Sequence, residues 1–130
     1  MNEQSLEQIE QQSWGDPPDG SSRLIATVHE LRRKPIGHLT AEDLRVLLSQ
    51  RVGVDTLMPL VLERLEKEPL LEGDFYPGDV LAAVLRISAE YWTGHLGQLA
   101  ALERVLTGVT EPDPELARDI TAFHERLRDG

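Results

Sequence analysis

The run Val80-Leu81-Ala82-Ala83-Val84-Leu85, with Ile87 just beyond it, leaves a helix no polar face on which to meet water. A helix apolar all round belongs inside a core, covered on several sides. The rest of the chain must therefore supply the cover. At 130 residues and 14.6 kDa it is long enough for one compact domain and too short for two of typical size.

The covering segments read as helices. A short one is expected over residues 4–12, ended by GDPPDGSS, where Pro17 and Pro18 forbid continuation. Ser21 or Ser22 caps a second, with Leu24, Ile25, Val28 and Leu31 at helical spacing and Arg32, Arg33 and Lys34 in its last turn, where cations suit the helix dipole. Thr40-Ala41-Glu42-Asp43 opens a third that Gly53 closes, and Asp55 opens a fourth that ends before Pro69. The all-apolar helix is expected to begin near Pro77. Ser88 starts a long one reaching Leu106, its early part weakened by Gly94 and Gly97, and Asp113-Pro114 starts the last, bearing Leu116, Ile120, Phe123 and Leu127. No run alternates as a strand would. The expected fold is all-α, a single irregular bundle of six to seven mostly short helices spanning 1–130, with an acidic segment over 1–20 that is free to move.

Charge narrows the partners. Thirteen Lys and Arg oppose 23 Asp and Glu, a net of −10, which repels phosphate backbones and attracts basic proteins. Neither direct nucleic-acid binding nor membrane insertion is expected, since no stretch approaches the roughly 18 apolar residues of a membrane helix. The N-terminus has no signal-peptide pattern, so a cytoplasmic location is expected.

Catalytic and metal chemistry find little purchase. The chain has no cysteine. His29, His38, His95 and His124 lack E-x-x-H and H-E-x-x-H spacing, so no metal or cofactor site is expected. Neither G-x-S-x-G nor a glycine-rich phosphate loop occurs, so the chain is not read as an enzyme. An enzyme using Asp74 and Asp79 would need the two carboxylates paired in a closed pocket. A helix-turn-helix regulator would need a basic recognition face that this chain lacks.

One octet stands apart: Glu72-Gly73-Asp74-Phe75-Tyr76-Pro77-Gly78-Asp79, in a chain only 5% aromatic. Gly73 and Gly78 permit unusual backbone angles, Pro77 suits a helix start, and Phe75 or Tyr76 can pack back on the first turns as a hydrophobic staple. These five residues read as a rigid structural loop. The stretch from Glu63 to Asp79 holds six acids against Arg64 and Lys67, a net of −4. Glu63, Glu66, Glu72, Asp74 and Asp79 are accordingly the candidate residues for docking a basic protein.

LRRKP, LTAEDLRVLLSQRVG and PLVLERLEKEPLLEGDFYPGDVLAAVLR follow one another between Leu31 and Arg86. This succession resembles the α-helical family of contact-dependent growth inhibition (CDI) immunity proteins, and Trp14-Gly15-Asp16-Pro17 is similar to that family's early segment. The resemblance implies a small cytosolic helical protein that binds and neutralises the C-terminal toxin domain of a CDI effector. Some members are similar to immunity proteins paired with EndoU-type RNase toxins. A nuclease holds phosphate with basic groups, which an acidic inhibitor can occupy in place of RNA. The alternative is a generic acidic helical interaction or scaffold domain.

Overall fold

Asp79 to Leu85 forms a seven-residue helix in which every residue is buried, and the other elements are arranged around it. The computed structural model describes residues 3–129, and among these the regular elements are eight α-helices and one 3-10 turn. They run α1 (Leu6–Glu10), α2 (Arg23–Arg33), the turn Ile36–His38, α3 (Ala41–Ser49), α4 (Val54–Lys67), α5 (Asp79–Leu85), α6 (Ala89–Thr93), α7 (Leu96–Thr107) and α8 (Pro114–Asp129). Helix α5 is flanked by α3 and α8, while α4 packs along α7. A buried cluster from Leu6 in α1 to Phe123 in α8 makes the core. The fold is all-α, as the helical spacing predicts, with one or two helices more than expected.

Local chemistry sets most helix starts. Ser22 caps α2 through Ile25 N–H. Thr40 and Asp43 bond reciprocally to each other's backbone N–H groups, completing a capping box for α3. Asp113 caps α8 through Leu116 N–H at 2.9 Å. Three boundaries differ from expectation. Gly53 does not close α3: that helix stops at Ser49, and Gly53 instead precedes α4, ahead of Asp55. Helix α5 starts two residues after Pro77. The long helix from Ser88 is two, broken at Gly94-His95, where the ring Nδ1–H of His95 donates to the Tyr91 carbonyl at 2.7 Å and the two rings stack.

The N-terminal segment makes contacts with α2 over its described part, and residues 1 and 2 lie outside the described residues. Leu6 is fully buried. Arg32, itself 1% exposed, donates to the Glu10 carboxylate at 2.6 Å and the Gln12 carbonyl at 3.0 Å, and its guanidinium lies 4.2 Å from the centre of the Trp14 ring. Arg33 reaches Glu7 and Asp16. Two members of the basic triplet that sequence reads as a helix terminus, Arg32 and Arg33, thus also anchor the acidic lead-in, while Lys34 turns to Asp43 of α3 at 2.7 Å.

Candidate functional site

The octet between α4 and α5 is a closed loop. Glu72 and Pro77 form an isolated antiparallel bridge, and Gly78 N–H donates to the Leu70 carbonyl at 3.2 Å. Asp79, the first residue of α5, turns its carboxylate back into the loop. Gly73 N–H reaches Oδ1 at 2.6 Å, and Phe75 and Tyr76 N–H reach Oδ2 at 3.0 and 3.4 Å. The positive end of the α5 backbone favours a carboxylate there as well. The two flanking glycines are confined in different ways. A Cβ on Gly73 would lie 2.6 Å from Glu42 Oε1, and Gly78 sits at φ +92° with the Leu116 side chain 3.0 Å from where its Cβ would be.

Helix α3 supports the loop from its other side. The Glu42 carboxylate grips Arg45 at two points, from Nε at 2.7 Å and from a terminal nitrogen at 2.5 Å, and also accepts Asp74 N–H at 2.9 Å. The hydrogen bond from Arg45 holds the Glu42 carboxyl below the usual glutamate value, against the opposing effect of burial. The guanidinium so fixed lies 4.4 Å from the centre of the Phe75 ring.

The two aromatics separate here. Tyr76 is half-buried against the core, and burial pushes its hydroxyl above the ordinary tyrosine value. Phe75 is 68% exposed. One of the pair packs inward against the core, and the other stays outside on an arginine.

The five acids expected to form one docking edge do not behave as one set. Asp79 is 3% exposed and fully engaged with backbone donors, so it holds the loop's shape and is not available to a partner. Glu72 and Asp74 are exposed on the loop, and neither forms an ion pair with a described residue. Glu63 and Glu66 are exposed on α4, where Glu63 faces Lys67 at 3.9 Å and Glu66 faces Arg104 of α7 at 3.3 Å. Neither is bonded to the loop. Glu42 and Arg45 escaped sequence reasoning because nothing local ties α3 to a loop so far along the chain.

A second surface also escaped it. Trp14, Leu24 and Ile25 are 42%, 44% and 46% exposed and, with Val28 and Val52, line one apolar groove. Helical spacing groups Leu24 and Ile25 with Val28 and Leu31. Consecutive apolar residues span a wide arc of a helix, and only the inner part, at Val28 and Leu31, is covered.

A family model described as CDI immunity proteins matches residues 8–102. The chain belongs to this family. As a CDI immunity protein it confers immunity to a CDI toxin, which places it among inhibitors and makes a cognate toxin its partner. The matched span of this CDI immunity protein contains the Trp14 segment, α2 to α6 and the whole octet loop, while α8 lies beyond it. No curated protein and no solved structure matches the chain. Among the described residues no helix is long and apolar enough to cross a membrane.

Proposed function

We propose that this immunity protein acts in the cytoplasm by binding the C-terminal toxin domain of a CDI effector, and that the face it uses carries the octet loop. The toxin in this reading is a basic nuclease, of which an EndoU-type RNase is one kind. The inhibitor covers the active site, its carboxylates occupying positions that RNA phosphates would take. The observation that carries the reading is the pair of unpaired, exposed carboxylates, Glu72 and Asp74, on a loop whose backbone is held from beneath by Asp79 and from the side by Glu42. Fixed charge steers a partner more effectively than charge on a mobile segment, because little ordering is left to be done on binding. Glu63 and Glu66 add to the same field, and the net charge of −10 agrees with it.

The test is association kinetics with the purified, catalytically inactivated toxin domain across an ionic-strength series. Reversal of Glu63, Glu66, Glu72 and Asp74 to Lys should slow association, most strongly at low salt. Failure of the unmutated protein to bind the toxin would defeat the reading. Equal association rates for the reversed chain would move the interface to another face.

A further inference from the structure

Phe75 presents a contradiction that the acidic surface does not resolve. Large apolar side chains are left singly on surfaces without consequence, but they are not usually built into place, and this one is. Its own N–H is bonded to Asp79 Oδ2 at 3.0 Å, its neighbour Asp74 is bonded to Glu42 at 2.9 Å, and its ring rests on Arg45. Arg45 is in turn clamped by both oxygens of Glu42. A Cβ on the loop glycine at 73 would press on those two carboxylates, at 2.6 Å from Glu42 and 3.1 Å from Asp79. All of this machinery holds in position a ring that is 68% exposed.

Taking the toxin as partner, as proposed above, we infer that Phe75 is the anchor of the interface, entering an apolar pocket on the toxin domain whose mouth is lined with basic side chains. Interface energy concentrates in a few aromatic or arginine anchors that fill pockets, surrounded by contacts that contribute little. An aromatic with only two side-chain torsions, already immobilised on a guanidinium, gives up little freedom on insertion. The flanking exposed acids Glu72 and Asp74 specify the rim: a pocket bordered by Lys or Arg is attracted, and one bordered by Asp or Glu is rejected. Arg45 is a positioning residue in this arrangement, because its face is already occupied by the ring and two of its three nitrogens by Glu42.

The experiment measures toxin binding by Phe75→Ala, Phe75→Leu and Arg45→Ala chains. Phe75→Ala should leave the thermal midpoint within about 4 °C of the parent, since the ring is exposed. Its affinity should fall by about 30-fold or more, mainly through faster dissociation. Phe75→Leu should recover part of the loss, and Arg45→Ala should lose less than Phe75→Ala. In a parallel arm, a photo-crosslinking phenylalanine at position 75 should attach to apolar toxin residues bordered by Lys or Arg, whereas the same probe at Leu24, in the Trp14 groove, should not. If the parent chain binds the toxin and Phe75→Ala binds equally well, or crosslinks arise from position 24 and not 75, the anchor assignment is wrong while the immunity function stands. If the parent chain does not bind, the function itself fails.

Discussion

The same three side chains occur twice in this protein: a glutamate holding an arginine whose guanidinium lies against an aromatic ring. In the lead-in they are Glu10, Arg32 and Trp14; in the octet they are Glu42, Arg45 and Phe75. The difference lies in which partner meets water. Arg32 is 1% exposed, and its Nε is buried without a hydrogen-bond partner among the described residues. The arginine there is an internal clamp that fastens the chain's beginning to α2. Arg45 is 20% exposed at its side chain and Phe75 68%, so the second set stands at the surface and displays its aromatic. One arrangement closes the structure, and the other presents it.

That contrast can be broken first at Arg32. Arg32→Ala removes a buried cation, strands the Gln12 carbonyl and frees the lead-in, and should destabilise the protein by about 3 kcal/mol in denaturant unfolding. A cost below about 1 kcal/mol would show that the lead-in is only draped on α2. Asp79→Ala comes next. Three loop N–H groups lose their acceptor, for an expected cost of about 2–3 kcal/mol. Binding to the toxin should weaken too, because the loop no longer holds Phe75 still.

Acid sharpens the comparison at lower amplitude. The Glu42 carboxyl titrates below its unfolded value, so its contribution is complete above about pH 4.3 and is lost as pH falls through the lower folded value. Asp43 moves the same way: burial raises it, but Lys34 and Thr40 together bring it below the usual aspartate value. The parent chain should therefore exceed Glu42→Gln in stability by about 1 kcal/mol at pH 7, and the two should converge near pH 2. Equal stability at pH 7 would mean that the grip on Arg45 contributes nothing to folding. The smallest expected effect is on the unfolding curve itself. In a Trp92→Phe chain, Trp14 fluorescence and far-ultraviolet circular dichroism should give coincident transitions if the lead-in unfolds with the bundle. An earlier Trp14 transition would make the clamp a local unit.

Much of this fold was legible because its signals are local. Thr40 with Asp43, Ser22, and Asp113 before Pro114 each satisfy helix-end N–H groups within three residues, and a sequence window contains everything needed to see them. The break at Gly94-His95 was only partly legible: Gly94 and Gly97 weaken the early part of a helix from Ser88, but helical spacing runs on to Leu106, and the stacking of Tyr91 on His95 is a property of the folded chain. The site divided in the same way. The octet stood out by its composition, and of its two glycines Gly78 has the positive φ that glycine permits, whereas Gly73 does not. The burial of Asp79 was hidden because an acid before an apolar helix reads equally well as a surface charge or an inward acceptor. Arg45 under Phe75 was out of reach, since no periodicity links α3 to a loop thirty positions later.

The placement of α8 bears on how far the octet depends on a distant part of the chain. Helix α8 covers one side of α5: Leu116 packs over Gly78, Asp119 pairs with Arg86, and Arg126 donates to the Leu85 carbonyl. A seven-residue helix has no stability of its own. Without α8, α5 is uncovered on that side, and the octet joined to it lacks a firm base. A chain cut before Pro114 is therefore a source of exposed apolar surface for proteases rather than a weaker antidote.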